Sequence, residues 1–211
     1  MLNVQHIKRD VIVIGASAGG VEALIRLFQG FTANFQGIVA TVIHRSPAYN
    51  LHLGKVLGRN VALPLIEPTH ETELKPGTIY LAPRDHHMFF TKGHVELNRG
   101  PKIHFTRPAV DPLFVSAGEL FGTRVVGVLL TGGGDDGVSG FISIKARQGL
   151  AIVQDPREAK MPTMPLNALT RDHVDLVLPL SEIPPTLERF ARGEAVETSA
   201  SFTATPQRSM G

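Results

Sequence analysis

The stretch that decides the fold is VIVIGASAGG, residues Val11 to Gly20. Its first half is apolar and β-branched, which predicts a buried strand, and its second half is a glycine-rich turn of the kind that leads from a strand into a helix. The turn fits two motifs. With Gly15 and Gly20 as outer glycines, it matches a dinucleotide-binding GxGxxG turn in which Ser17 replaces the middle glycine. It also spells G-x-S-x-G around Ser17, which is the nucleophile elbow.

The composition excludes several classes of protein. A chain of 211 residues with 43% hydrophobic residues suits one α/β domain. There is no cysteine, which rules out disulfides, thiolate metal sites and cysteine catalysis. The formal charge is +2 and the basic residues are scattered among acidic ones, so no nucleic-acid partner is expected. Apolar runs are only strand-length and the first ten residues lack a signal core, so we expect a cytoplasmic protein with no direct membrane insertion.

Strand-like and helix-like segments alternate along the chain. This alternation predicts a doubly wound, mostly parallel sheet in a Rossmann-like three-layer α/β fold. Three short extended runs between Gly77 and Phe105, namely GTIYLAP, HMFFTKG and HVELNR, predict a small antiparallel hairpin insert. The segment MPTMPLNALT is interpreted as a loop between two strands, and Gly149 as the left-handed residue that ends a helix.

Polar residues of complementary chemistry follow three of the predicted strands. Ser17 ends the first strand, His44 ends the second, and Asp135 and Asp136 lie in TGGGDDG after a buried strand. In an open parallel sheet, ligands bind outside the carboxyl ends of the strands. Serine can attack an acyl carbon, histidine can remove its proton, and an aspartate can orient the imidazole and stabilise its charged form.

Each of these residues also has an ordinary structural interpretation. Ser17 could cap the first helix, His44 could be a surface residue, and Asp136 could cap the helix that starts at GVSG. Their joint occurrence at strand ends favours a catalytic site. The order Ser, His, Asp differs from that of the α/β-hydrolases. The dinucleotide interpretation is disfavoured, because the second strand ends in VIHRSP instead of an acidic residue.

The sequence resembles the catalytic domain of the chemotaxis protein-glutamate methylesterases (CheB type). The resemblance extends from Val11 to about Phe190, and the motifs that carry it are VIGASAGGVEAL, VIHRSP, GTIYLAPRDHHM, RPAVDPLF, VVGVLLTGGGDDGVSG and IVQDPREAKMPTMPLNAL. It implies a parallel α/β sheet with an antiparallel hairpin insert. It also implies hydrolysis of glutamyl methyl esters on chemoreceptors, with deamidation of glutamines as a second activity.

The resemblance assigns roles to individual residues. Ser17 would be the nucleophile, His44 the general base and Asp136 the acid, while backbone amides of Ala18 and Gly133 would hold the oxyanion. No metal or cofactor is implied. The implied substrate is the cytoplasmic helices of methylated chemoreceptors, and other chemotaxis or sensory signalling proteins are candidate partners. His87, in RDHHM, is assigned a structural role.

The chain also departs from the family pattern. Ala18 stands where threonine is usual and Gly133 where methionine is usual, which keeps the backbone donors but changes the pocket. We expect residues 1–193 to form the catalytic domain and 194–211 a mobile polar tail. Too few residues precede Val11 for the usual receiver domain, so a stand-alone catalytic domain is expected. The alternative hypothesis is a binding or scaffold module that retains the fold without catalysis.

Overall fold

The computed structural model describes residues 7–45, 52–59, 61–171 and 174–194. The predicted tail therefore lies outside the described residues, apart from residue 194. The strands are β1 (Val11–Ala16), β2 (Ile38–Ile43), β3 (Leu65–Ile66), β4 (Thr72–Glu73), β5 (Thr78–Leu81), β6 (His87–Thr91), β7 (His94–Asn98), β8 (Val125–Leu129), β9 (Leu150–Gln154) and β10 (Leu176–Leu178). The helices are α1 (Gly20–Gln29), α2 (Leu53–Leu57), α3 (Val110–Phe121), α4 (Val138–Ala146), α5 (Thr163–Thr170) and α6 (Ile183–Ala191).

The main sheet has seven strands in the order β10-β9-β8-β1-β2-β5-β3, and every neighbouring pair is parallel. The chain winds from β1 outward through β2 on one side and later through β8 on the other. The strand order therefore reverses between β1 and β8, which makes this gap the topological switch point of the sheet. The predicted doubly wound, mostly parallel fold is confirmed.

Strand β1 shows why both faces of the sheet are covered by helices. All six of its residues are buried, and alternate side chains point to opposite faces. Ile12 and Ile14 belong to a core shared with α1, α2 and α6, whereas Val11 and Val13 belong to a core shared with α3, α4 and α5. A continuous apolar strand is the pattern expected for a strand buried on both faces. Within the described residues, no helix is both long and apolar enough to cross a membrane.

The predicted small antiparallel insert is confirmed, but one of its three strands differs from the prediction. Strands β6 and β7 form an antiparallel pair, and β4 completes a three-stranded sheet beside β7. The run GTIYLAP does not belong to this insert. It forms β5, which lies between β2 and β3 in the parallel sheet. All four residues of β5 are buried. This burial requires packing partners on both faces of the strand, which the local sequence did not reveal.

Two local predictions were wrong. The segment MPTMPLNALT contains helix α5, because Pro162 and Pro165 lie before and within its first turn, where backbone amides need no partner inside the helix. At the end of α4, the left-handed residue is Gln148, with φ of 61°, and not Gly149. Gly149 is required for space: a Cβ there would lie 2.5 Å from Cγ2 of Ile144.

Candidate active site

The loops that carry the predicted site residues are joined just beyond the strand ends. The amide of His44 donates to the carbonyl of Ala16 over 3.0 Å, so the β1–β2 pairing continues past both strands. The amide of Ser17 donates to the carbonyl of Thr131 over 3.0 Å, which extends the pairing with β8. Ser17, His44 and the loop before Asp136 are therefore held at the switch point, where a ligand cleft is expected.

Ser17 lies in a tight turn and does not cap α1. Its carbonyl accepts a hydrogen bond from Gly20 over 2.8 Å, and the N-cap of the helix is Gly19, whose φ of 80° suits glycine. Among the described residues, no side chain caps the start of this helix. The Ser17 side chain is half-buried, and its hydroxyl makes no hydrogen bond to any residue that the structure describes. The capping interpretation is therefore wrong, and the hydroxyl is available to a ligand.

The glycines around this serine are required because neighbouring side chains leave no room for a Cβ atom. A Cβ on Gly15 would lie 2.6 Å from Cγ1 of Val110, and one on Gly132 would lie 2.8 Å from Cβ of Ser17. A real Cβ does not approach that closely without displacing its neighbour. The strand end, the serine turn and the loop after β8 can therefore come together only with glycine at these positions.

His44 and Asp136 form a close hydrogen-bonded pair. His44 Nε2 donates to Oδ2 of Asp136 over 2.6 Å, and the two side chains are 12% and 1% exposed. This contact leaves Nδ1 as the ring nitrogen available to Ser17. Among the described residues, however, no hydrogen bond joins the Ser17 hydroxyl to the imidazole. The structure thus brings two of the three predicted residues into contact and holds the third beside them by backbone register.

Asp136 also receives two backbone amides from the start of α3. The amide of Val110 donates to its Oδ2 over 2.7 Å and that of Asp111 to its Oδ1 over 2.9 Å. Burial raises the pKa of Asp136, but the hydrogen bonds from His44 and the two amides outweigh it, so the pKa lies below its ordinary value. An ionised carboxylate of this kind fixes the orientation of an imidazole and stabilises its charged form.

Asp136 therefore caps α3 and not α4, contrary to the ordinary interpretation of its position before GVSG. Asp111, in the first turn of α3, caps α4 in return: its Oδ1 accepts from Gly137 over 2.9 Å and from Gly140 over 2.7 Å. The two helices exchange capping carboxylates, which ties the acid of the site to the packing of α3 against α4.

A second histidine lies on the other side of Asp111. His104 Nε2 donates to Oδ2 of Asp111 over 3.0 Å, and its Nδ1 is 3.4 Å from Asp135. Asp135 also lies 3.8 Å from Arg171 and makes no described contact with His44. This arrangement separates the two neighbouring carboxylates, since only Asp136 contacts His44.

Donor atoms of His104, Asp111 and Asp136 lie within 4.8 Å of one another, close enough to be considered as metal ligands. Their atoms already make other hydrogen bonds. Asp136 accepts from His44 and two amides, and Asp111 accepts from two amides and His104. The cluster is therefore a satisfied hydrogen-bond network, and its geometry suits orientation of an imidazole better than capture of a cation.

The two predicted oxyanion donors are available. Within the described part of the chain, the backbone amides of Ala18 and Gly133 have no hydrogen-bond acceptor. A Cβ on Gly133 would meet nothing within 4 Å, so the space beside this residue is open. The loop therefore presents a backbone donor beside open space.

Three residues of the site were missed by sequence reasoning. Thr131 is buried and joins the serine turn to the segment before α5: its hydroxyl donates to the carbonyl of Ala18 over 2.9 Å and accepts from the amide of Met161 over 2.8 Å. Asp111 and His104 were missed as well. The motifs LTGGG and RPAVDPLF contain Thr131 and Asp111, but nothing local indicates what they contact. His87, for which a structural role was predicted, is buried and bridges the carbonyl of Pro101 and the amide of Ala109.

The fold and the site define a class of protein: an open parallel α/β sheet with serine, histidine and aspartate gathered at its switch point. Within that class the chain belongs to the CheB methylesterase family, whose model matches residues 12–187. The catalytic domain of a CheB methylesterase from Thermotoga maritima has a similar structure, with a TM-score of 0.81 and 31% sequence identity over 87% of this chain and 99% of that one. The predicted family is confirmed.

Curated relatives carry consistent names. A protein-glutamate methylesterase/protein-glutamine glutaminase of Pyrococcus abyssi is 36% identical over 86% of this chain and 50% of its own length. The protein-glutamate methylesterase FrzG of Myxococcus xanthus is 36% identical over 85% of this chain and 54% of its own. A putative protein-glutamate methylesterase/protein-glutamine glutaminase of Leptospira interrogans is 33% identical over 82% and 91%. The chain thus spans about half the length of several relatives that it matches.

Proposed function

We propose that this protein is a protein-glutamate methylesterase that removes methyl esters from glutamyl residues of chemoreceptors or receptor-like proteins. The observation that carries the proposal is the 2.6 Å hydrogen bond between His44 and an Asp136 whose pKa is lowered, held at the switch point beside Ser17. Relatives with the printed name protein-glutamate methylesterase support the reaction class. The proposed catalytic domain is residues 1–193.

In the proposed first step, the Ser17 hydroxyl attacks the ester carbonyl while His44 Nδ1 takes its proton. The carbonyl oxygen becomes an oxyanion, which the amides of Ala18 and Gly133 stabilise by hydrogen bonding. Asp136 holds the imidazole by its Nε2 and stabilises the imidazolium that forms. The bond to the methoxy group then breaks, and His44 returns the proton to the departing methanol.

In the second step, water hydrolyses the glutamyl ester on Ser17. His44 removes a proton from the water, the water oxygen attacks the acyl carbon, and the proton returns to the serine oxygen as the bond breaks. The products are a glutamate side chain and methanol. No metal or cofactor enters either step.

A second activity at the same site follows from the printed names of relatives, several of which are also protein-glutamine glutaminases. The same acyl intermediate would form from a glutamine side chain, with ammonia as the leaving group in place of methanol. We propose the cytoplasm as the location and the cytoplasmic helices of methylated chemoreceptors as the substrate.

The proposal is tested by release of methanol from a chemoreceptor cytoplasmic fragment that carries isotopically labelled methyl esters. We expect wild-type protein to release labelled methanol and the Ser17→Ala variant to be slower by about three orders of magnitude or more. Far-UV circular dichroism of both proteins controls for folding. Absence of release by folded wild-type protein, on this fragment and on small glutamyl esters alike, would favour the scaffold hypothesis.

A further inference from the structure

A tight turn beside the site has an unusual sequence for its conformation. Ile103 and Thr106 exchange both backbone hydrogen bonds, over 3.1 and 2.9 Å, and so close a two-residue turn at His104 and Phe105. Both central residues are left-handed, with φ of 49° and 62°. Such turns favour Asn-Gly, because a Cβ makes the left-handed conformation unfavourable. The turn therefore carries two side chains at a cost in local conformational energy, a pattern that is found at functional positions.

The turn is tied to the network that holds the acid of the site. His104 donates to Asp111 over 3.0 Å, and the amide of Asp111 donates to Asp136 over 2.9 Å. The same histidine lies 3.4 Å from Asp135, in the loop that contains Asp136. These contacts fix the position of the turn relative to the His44–Asp136 pair, and Phe105 is the residue next to His104 in that turn.

Phe105 is the most exposed large apolar side chain among the described residues, at 95%, whereas the others lie between 36% and 46%. An aromatic side chain left this exposed gains nothing from the fold itself. No contact in the described part of the chain uses its ring. Its ring is therefore available for contact with a second molecule.

Other exposed apolar side chains border the same end of the sheet. Val21 is in the first turn of α1, which follows Ser17, and Leu166 is in α5. Met161 is placed beside the loop after β8, because its carbonyl accepts a hydrogen bond from the amide of Gly132. Five of the eight large apolar side chains exposed in the described residues lie on these site-bordering segments, namely Val21, Ile103, Phe105, Met161 and Leu166. Apolar surface concentrated around a cleft is typical of a surface that binds a macromolecule.

We propose that Phe105 is a specificity-determining residue that binds the polypeptide flanking the esterified glutamate of a protein substrate. The inference rests on the proposed function. An enzyme that acts on one side chain within a protein must accommodate the neighbouring polypeptide, and an exposed aromatic ring on a closed backbone turn offers it apolar contact. Phe105 takes no part in bond breaking.

The test compares two substrates that share the same ester bond. One is a methyl-esterified chemoreceptor cytoplasmic fragment, and the other is the γ-methyl ester of N-acetylglutamate N-methylamide, which has no flanking polypeptide. The variant is Phe105→Gly in the full chain, with Phe105→Tyr as the conservative replacement. Ile7→Ala is the matched control, since Ile7 is 42% exposed and precedes the opposite end of β1.

We expect Phe105→Gly to raise KM for the protein substrate about tenfold, with kcat nearly unchanged, and to leave kcat/KM for the small ester within about twofold of wild type. Phe105→Tyr and Ile7→Ala should match wild type on both substrates. The glycine variant should also melt at a higher temperature than wild type, because glycine adopts this φ without strain.

Several outcomes would overturn the inference. An unchanged KM for the protein substrate would show that the ring does not contact it. Faster hydrolysis of the small ester, or a change of sedimentation coefficient, would assign Phe105 to a contact within the protein or between copies of it. A lower melting temperature would show that the ring is packed. If wild-type protein hydrolyses neither substrate, the proposed function fails, and this inference fails with it.

Discussion

Two histidine–aspartate pairs lie within a few ångströms of each other in the described residues, and they differ in ways that matter for function. His44 and Asp136 are 2.6 Å apart and nearly enclosed, whereas His104 and Asp111 are 3.0 Å apart, with the histidine side chain 35% exposed. The hydrogen bonds to Asp136 lower its pKa, whereas burial and the nearby charge of Asp136 raise the pKa of Asp111. Only the first pair follows strands that border Ser17.

A histidine–aspartate hydrogen bond thus occurs twice among the described residues, in different settings. Asp136 caps α3 and Asp111 caps α4, so both carboxylates link these two helices. What distinguishes the first pair is its position at the switch point, where the backbone amide of His44 is bonded to the residue before Ser17. If that position separates the roles of the two pairs, substitutions in the first pair should affect catalysis and substitutions in the second should affect stability.

The largest effect is expected from Asp136→Asn. An amide cannot stabilise the imidazolium, and it presents a donor where the carboxylate accepts from backbone amides. We expect kcat for methanol release to fall by about three to four orders of magnitude. Asp135→Asn is the control and should change the rate by less than about tenfold, since Asp135 does not contact His44. If the variant at 135 were the damaged one, the assignment of the acid would be wrong.

Asp111→Asn should separate stability from catalysis. This change replaces the charged acceptor of Gly137 and Gly140 with a neutral amide oxygen and places an NH2 group opposite His104, and we expect a loss of about 1–3 kcal/mol in the free energy of unfolding. The rate of methanol release by the folded protein should fall by less than about tenfold. Urea denaturation and initial rates measure the two quantities. A loss of activity equal to that of Asp136→Asn would mean that both pairs act in catalysis.

Gly132→Ala tests whether the position of the serine turn matters for catalysis. The added Cβ would lie 2.8 Å from Cβ of Ser17 and 2.9 Å from Sδ of Met164, so the serine turn must shift relative to His44. We expect kcat/KM to fall about 10- to 100-fold, because small displacements of a nucleophile are costly. Gly133→Ala is the neighbouring control, with nothing within 4 Å of its Cβ, and should change the rate by less than about threefold. Equal rates for the two variants would contradict the proposed role of the serine turn.

The smallest effect is the dependence of stability on pH. The lowered pKa of Asp136 gives a contribution that is present above its ordinary value of 3.8 and is lost as the pH falls through the folded-state pKa. The raised pKa of Asp111 gives a contribution of opposite sign, which is present below 3.8 and is lost as the pH rises through its folded-state pKa.

Melting temperatures measured between about pH 3 and pH 7 should therefore change in opposite ways in the two variants. Relative to wild type, Asp136→Asn should lose less stability on acidification, and Asp111→Asn should gain more stability as the pH rises. Parallel curves for the two variants would show that the carboxylates do not differ as described.

Sequence reasoning predicted the parts of this site that depend on local pattern. The apolar run before Ser17 predicts a buried strand. The serine, histidine and aspartate at three strand ends predict at which edge of the sheet the site lies. The choice of Asp136 over Asp135 came from family resemblance. Its contact with His44 agrees with that choice.

The remaining features depend on contacts between distant segments. Whether Asp136 caps α3 or α4 is decided by how those helices pack, and the partner of His104 is seven residues away across a turn that the sequence does not favour. Strand β5 was misplaced because its pairing with β2 is long-range. Helix α5 was missed because its prolines were interpreted as signs of a loop. Proline is in fact tolerated in the first turn of a helix.

The most direct test of the central claim is to find the acyl group on Ser17. An activated aryl γ-ester of N-acetylglutamate N-methylamide would be mixed with enzyme, quenched with acid during turnover and analysed by mass spectrometry after trypsin digestion. Ser17 has the only hydroxyl side chain in the tryptic peptide of residues 10–26. We expect a burst of the aryl alcohol and the acyl mass on this peptide in wild type, and neither in Ser17→Ala. Turnover by Ser17→Ala at the wild-type rate would contradict the central claim.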